Sequence, residues 1–269
     1  DFSLSRGLGD VYKRQKFRAA RKLWATIMSK RFSVTNEKAL FCRFHTQTGG
    51  STLTANQIDN NVVRTTIQAL SAVLGGTQSL HTNSKDEALA LPSENAAELA
   101  LRTQQIIALE SGLTSYPDPF GGSYVVEELT ESFYTEAMLI INQIDDIGGA
   151  ISAIESGFIE NEITRSAYEY QRQVEEKEKF VVGVNIHDKE DLTEQHIQDI
   201  DSKKIDFHTN RLKDLKRKRD NIKVQSSLDT LKVIAKTDEN VMPQIIKCVS
   251  SKCTLGEISD ALRKVYGEY

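Results

Sequence analysis

The chain has 269 residues, 39% apolar, 27% charged and 7% aromatic, with 15 Gly and 4 Pro, a composition that excludes disordered, collagen-like and low-complexity classes. Lys+Arg 34 against Asp+Glu 38 gives a formal charge of −4, too balanced for nucleic acid to be the default partner. No apolar run reaches the ~18–20 residues of a membrane helix, and three scattered cysteines (Cys42, Cys248, Cys253) form neither a disulfide framework nor a paired metal spacing, so a soluble, cytoplasmic protein is expected.

Residues 1–15, DFSLSRGLGDVYKRQ, lack helical or strand periodicity and the apolar segment of a signal peptide. They are expected to be a leader foreign to the fold, with the native chain extending far upstream. From Lys16 to Ser29, Phe17, Ala20, Leu23, Trp24, Ile27 and Met28 recur at helical spacing. Residues 39–45 then read as a short strand running into the polar, Gly-bearing loop 45–51. Residues 60–74 form the next predicted helix, with Val63, Ile67, Leu70 and Leu74 on one face and Gly75-Gly76 stopping it. A second strand-and-loop is predicted over 77–83, and a third helix over 94–111. Alternating helix and strand with short connections point to α/β units around a parallel sheet.

After residue 123 the pattern changes. Val126, Leu129, Phe133, Ala137, Ile140, Ile141 and Ile144 fall on one helical face that ends at Gly148-Gly149. Helices over 150–155 and 160–177 and a strand-like run over 180–184 follow, and the pattern is helical from Leu192 onward. Between Lys203 and Lys223 nine basic residues meet three acidic ones, an excess of six, which reads as a solvated helix face. Thr254 and Glu257 form a capping box that opens a last helix with Ile258, Leu262 and Val265 buried.

His45 and His81 each end a predicted strand, so both can serve as ligand donors, general acids or metal ligands, or simply as satisfied structural residues. Gln47, Gln78, Thr82 and Asn83 add neutral hydrogen-bonding groups to the same rim. No metal site is expected, because no H-x-H, H-E-x-x-H or carboxylate cluster accompanies the histidines, and no G-x-S-x-G, P-loop or G-x-G-x-x-G is present. His187, His196 and His208 read as surface residues.

The blocks H45-T-Q-T-G-G-S-T-L-T54, N60-N-V-V-R-T65, G75-G-T-Q-S-L-H-T-N-S84, D86-E-A-L-A-L-P92, R102-T-Q-Q-I-I, E110-S-G, D118-P-F-G-G-S-Y124 and V181-V-G-V-N185 closely resemble the adenosylcobalamin-dependent acyl-CoA mutases, the family of the methylmalonyl-CoA mutase large subunit, from about Lys16 to Tyr269. The resemblance implies a partial (β/α)8 TIM barrel over 16–130 and a helical extension toward a cobalamin-binding domain or subunit over 131–269. The family's acyl-CoA lies in the barrel channel under the corrin, and the cofactor supplies an adenosyl radical that abstracts a substrate hydrogen. Carried over by position, Gln78, Arg31 and Ser33 would contact the acyl-CoA, and His81, Asp118 and Gly121 the adenosylcobalamin. Gln78 and His81 are then expected to point into one cavity beside Asp118.

The resemblance also implies that the catalytic residues lie upstream of this chain, that the large subunit is a dimer or heterodimer, and that neither nucleic acid nor membrane is a partner. Two blocks depart from the commoner pattern, Glu98-Leu-Ala-Leu-Arg-Thr-Gln104 and Leu109, as in the archaeal-type and isobutyryl-CoA mutase branch. An incomplete barrel leaves a sheet edge open, so the chain alone is expected to be inactive and poorly folded. A non-catalytic assembly partner and a metal-dependent barrel hydrolase using His45 and His81 are the competing readings.

Overall fold

A computed structural model describes residues 10–189 and 201–268, and the chain divides into two compact units, 1–198 and 199–269. The first unit opens with α1 (Asp10–Lys30), followed by β1 (His45–Gln47), α2 (Asn60–Leu74) and β2 (Ser79–His81). The two strands pair in parallel, with His45 opposite Ser79 and Gln47 opposite His81. Parallel neighbours need a crossover, and α2 supplies it. Then come α3 (Glu94–Leu109), α4 (Tyr124–Ile147), α5 (Ala150–Glu155) and α6 (Phe158–Glu175). The described part of this unit is therefore mostly helical around a small parallel sheet.

Helix α1 packs against both α2 and α4. Phe17 stacks on Phe44 with ring centroids 5.1 Å apart, and the chain turns out of α2 at Gly75, where a Cβ would sit 2.7 Å from Phe17 Cδ2. Ion pairs run from α1 to α4: Arg18 to Glu127, Lys22 to Glu131 and Arg31 to Asp145. Exposed pairs contribute only ~0–1 kcal/mol each, so they set the register of the two helices more than their stability. Helix α4 ends where Gly148 takes a left-handed conformation (φ +109°) and its N–H closes on Ile144 and Asp145 carbonyls.

Several expectations change. The leader predicted over 1–15 overlaps α1, which begins at Asp10, and Gln15 is fully buried; residues 1–9 lie outside the described residues. The boundary expected after residue 130 falls inside the continuous α4. The predicted strand over 39–45 contracts to His45–Gln47, with 37–39 a 3-10 turn. The strand predicted over 180–184 is a turn carrying one bridge, Val182 to Ile186. Gly183 is left-handed there (φ +78°), and the Asn185 side chain ties Val181, Lys179 and Val174 backbone groups together.

Helix α2 matches its predicted span, and its apolar stripe is only partly buried, with Leu74 inside. Val63 is 60% exposed, whereas Asn61, Arg64, Gln68 and Ser71 are buried. Their spacing of three, four and three makes a polar stripe, held inside because Asn61, Arg64 and Gln68 bond loop groups and Ser71 donates to Ile67 O within the helix.

The second unit holds α7 (Ser202–Lys218), α8 (Asn221–Ile234), α9 (Met242–Ser250) and α10 (Leu255–Tyr266). Its core joins Val224, Leu228 and Leu231 of α8 to Cys248, Cys253, Ile258 and Ala261. The Thr254–Glu257 capping box is formed, and α7, which carries most of the basic run, has no buried residue. The helical pattern read over 192–200 lies outside the described residues. None of the described helices is long and apolar enough to cross a membrane.

Candidate functional site

The C-terminal ends of β1 and β2 feed two loops, 48–54 and 82–86, that are bonded to each other and to α2. Thr48 N donates to His81 O at 3.1 Å, and Thr48 Oγ1 donates to Asn83 Oδ1 (2.7 Å) while accepting from Asn83 N (2.9 Å). Gln68 accepts from Gly49 N at 2.6 Å and donates to Thr52 Oγ1 at 2.7 Å. Asn61 Nδ2 bridges the loops by donating to Thr54 O and Lys85 O, and Asn61 Oδ1 accepts from Thr54 N.

Arg64 donates to Thr54 Oγ1 (2.8 Å), Asn61 Oδ1 (2.7 Å) and Val182 O (2.5 Å), which also fixes the 181–186 turn. Burial pushes the Arg64 guanidinium below its ordinary pKa, and its three acceptors are all neutral. Burial alone would raise the Asp86 carboxyl. Hydrogen bonds from Ser84 and from both Ser93 groups outweigh it and hold the acid below the usual carboxylate range.

Above this floor, one face of the sheet presents His45, Gln47, Ser79 and His81, all exposed. His45 Nδ1 lies 2.7 Å from Ser79 Oγ. At the adjoining loop a Cβ on Gly50 would come within 3.1 Å of both Asn83 Nδ2 and Glu87 Oε1, so the backbone passes unusually close to β2's loop there. Such a face can hydrogen-bond an extended polar ligand through imidazole, amide and hydroxyl groups. Among the described residues no group of three or more His, Cys, Asp or Glu could hold a metal ion.

The structure does not bring the sequence-derived candidates together. His81 is exposed at the C-terminal end of β2. Gln78 is three residues earlier, so alternation along the strand sends it to the other face. Its side chain accepts from Phe44 N (2.7 Å) and donates to Gly76 O (3.0 Å), and it lines a cleft with Arg21 and Arg43 that His81 and Asp118 do not line. Among the described residues, the cleft lined by Gln78 is thus not shared with His81.

Asp118 sits at left-handed backbone (φ +47°), with Oδ2 accepting from Arg18 Nε and Nη2 at 3.2 and 3.0 Å. Its Oδ1 is buried without a donor. Gly121 N–H closes the turn onto Asp118 O, and a Cβ at Gly121 would lie 3.2 Å from Asp118 Oδ2. Arg31 is exposed and bound bidentately by Asp145 at 2.7 and 2.8 Å, which raises its pKa. Ser33 is exposed in left-handed backbone, φ +53°.

Sequence reasoning passed over Asn61, Arg64 and Gln68. The readable signal is a polar stripe at helical spacing inside N60-N-V-V-R-T-T-I-Q68.

A family model described as methylmalonyl-CoA mutase matches residues 12–268. The 2-hydroxyisobutanoyl-CoA mutase large subunit of Aquincola tertiaricarbonis is 43% identical over 97% of this chain and 47% of its own length. The mitochondrial methylmalonyl-CoA mutase of Homo sapiens is 41% identical over 94% of the chain and 34% of its own length. Methylmalonyl-CoA mutase of Rhizobium meliloti is 37% identical over 100% of the chain and 38% of its own length. The chain thus spans about a third to a half of the curated relatives it matches. With the family match running through both compact units and through every loop of the polar floor, this chain belongs to the methylmalonyl-CoA mutase family.

Proposed function

We propose that the chain is the C-terminal part of the large subunit of an adenosylcobalamin-dependent acyl-CoA mutase, rearranging (R)-methylmalonyl-CoA to succinyl-CoA. The family match across 12–268 carries this reading. The small sheet supports its structural half: a parallel pair with only a helical crossover is far short of a self-sufficient sheet, as expected of the last strands of a (β/α)8 barrel. On this reading the rest of the barrel and the catalytic residues belong to polypeptide upstream, and residues 131–269 lead toward a cobalamin-binding domain or partner subunit in a dimer or heterodimer. A cytoplasmic site is part of the proposal, supported by the three free cysteines.

Two features fit the cofactor. His81 is an exposed ring at the strand end that the family turns toward the corrin, and Asp118 keeps a buried Oδ1 with no donor, suited to accept from an amide N–H of the corrin rim. Gly121 leaves room for that turn to be approached. Bound adenosylcobalamin supplies the radical chemistry. The residues present here would position and shield the reactants, with Gln78, Arg31 and Ser33 assigned to the acyl-CoA. Gln78 retains one free amide hydrogen for this. Arg31 must exchange Asp145 for a phosphate, a substitution its planar fork permits.

The 43% identity to a 2-hydroxyisobutanoyl-CoA mutase large subunit favours a second reading, in which the same scaffold rearranges that or another branched acyl-CoA such as isobutyryl-CoA. The test is turnover of each thioester with adenosylcobalamin, using the upstream-extended subunit assembled with a cobalamin-binding partner and, in parallel, the 269-residue chain alone. Succinyl-CoA formation by the assembly and none by the chain alone is the expected result. Turnover by the isolated chain, or none of any branched acyl-CoA by the assembly, would refute it.

A further inference from the structure

Helix α9 ends in a turn that carries two of the three cysteines. Lys252 N donates to Val249 O and Cys253 N to Cys248 O, each at 2.9 Å, and Lys252 is left-handed, φ +66°. Those two bonds and that backbone make a Schellman closure, which brings the side chain just beyond the turn against one in the helix's last turn. Here both of those side chains are thiols. A left-handed lysine costs about 1–2 kcal/mol, so its surroundings must hold the turn. Lys252 O accepts from Arg219 Nη1 at 2.9 Å, and Ser227 Oγ lies 3.1 Å from Ser251 Oγ. The Cys248 thiol donates to Ser227 O at 3.3 Å and the Cys253 thiol to Val224 O at 3.8 Å, carbonyls about one turn apart on α8. Both cysteines belong to the apolar core of this unit, and their thiols also hydrogen-bond each other.

A direct N–H to carbonyl bond between two residues keeps their Cα atoms about 5–6 Å apart, within the span that a disulfide bridges. We propose that Cys248 and Cys253 form a reversible oxidation site, closing to a disulfide under a low-molecular-weight disulfide such as oxidised glutathione and locking the turn between α9 and α10. One cysteine thiolate attacks the reagent and releases its first thiolate; the second cysteine thiolate then attacks the mixed disulfide and releases the other. The reagent's S–S bond is reduced to two thiols, which take up the two cysteine protons, and one S–S bond forms between the oxidised cysteine sulfurs. Burial pushes the Cys248 thiol up to about 11 and raises the Cys253 thiol as well, so attack waits on opening of the turn and closure is slow. The site stands on this turn alone and does not require the mutase reading.

Folding and oxidation are linked: the factor by which the fold favours the disulfide is the factor by which the disulfide favours the fold. Closing the six-residue loop 248–253 is worth at most ~40-fold through the entropy of the unfolded chain, and strain at the turn subtracts from that, so about 10–40-fold is expected. The full chain is equilibrated with reduced and oxidised glutathione, in buffer and in concentrated urea, then acid-quenched, alkylated and digested. Trypsin cuts after Lys252, so a 248–253 disulfide is read directly as two peptides that stay joined. They should stay joined under conditions about 10–40-fold more reducing in buffer than in urea, while Cys42, in the other unit, takes up glutathione singly.

Amide exchange across α8, α9 and α10 should slow by the same factor in the oxidised chain and return when excess reduced thiol is added. In Cys248→Ser and in Cys253→Ser the oxidant should leave that exchange unchanged. Failure of the two peptides to stay joined, an equal or greater preference for the disulfide in urea, or faster exchange in the oxidised chain overturns the proposal. The comparison of buffer with urea uses the unsubstituted chain, so it decides the matter even where a serine variant unfolds.

Discussion

Replacing Arg64 by Met removes a side chain that ties α2, the 48–54 loop and the 181–186 turn together. Its three hydrogen bonds do not cost the same when lost. Thr54 Oγ1 still donates to Asn56 O, and Asn61 Oδ1 still accepts from Thr54 N, so both retain partners. Val182 O loses its side-chain donor, a cost of about 1–3 kcal/mol if it stays sheltered. Against this, Met relieves the desolvation that pushes the guanidinium below its ordinary pKa and keeps most of the apolar stem. The balance is a destabilisation of about 1–2 kcal/mol. Arg64→Lys keeps the charge but cannot span three acceptors from one nitrogen, so it should fall between Met and wild type. Urea unfolding of the full chain, followed by Trp24 as its single tryptophan, measures the change. Limited proteolysis should show new cleavage at 48–54 and 181–186 in Arg64→Met. A loss below about 0.5 kcal/mol with an unchanged proteolytic pattern would refute the view that the polar floor is held from Arg64.

Glu257 gives a pH signature in the second unit. Hydrogen bonds from Arg219, at 2.5 and 2.7 Å, are the main cause of its pKa falling from 4.5 to about 2; Thr254 adds a smaller lowering, against a raising contribution from burial. A depressed carboxylate contributes stability that is fully present above its unfolded value and is lost as pH drops from about 4.5 through about 2. With the side chain partly open to solvent, the contribution is about 1–2 kcal/mol after screening. Glu257→Gln preserves the capping geometry and should therefore cost that amount at pH 7 and nothing near pH 2, read by amide exchange across α8 and α10; a pH-independent difference would contradict it. Gly75→Ala places a methyl 2.7 Å from Phe17 Cδ2 and should destabilise by about 1–3 kcal/mol through overpacking of α1 on α2, relieved in part by Phe17→Leu in the same urea titration. Additive effects of those two substitutions would show that the contact is not the cause.

Periodicity located α2 and α5 to the residue and α3, α4 and α6 to within a few positions, because capping and glycine stops are local events, whereas α1 begins six residues before its predicted start and α7, α8 and α9 merged into one helical pattern. Strands were harder: a two-stranded parallel ladder is only as long as its partner allows, so the apolar run 39–45 yielded pairing only from His45. The larger failure concerns sidedness. Of the apolar stripe on α2 (Val63, Ile67, Leu70, Leu74) only Leu74 is fully buried within this chain, whereas Asn61, Arg64, Gln68 and Ser71 are buried along with Ala69 and Ala72. Apolar groups bury wherever any partner exists, whereas a buried polar stripe needs specific acceptors at specific distances, and those lie in loops up to 118 residues away. The same asymmetry explains the site. Residue types told of polar ligand recognition, but strand alternation separated Gln78 from His81, and Arg18 claimed one oxygen of Asp118 while leaving the other free. An unpaired buried donor or acceptor is invisible in sequence because it is defined by what is absent around it, which is why the free oxygen of Asp118, Oδ1, emerges only once the neighbouring elements are in place.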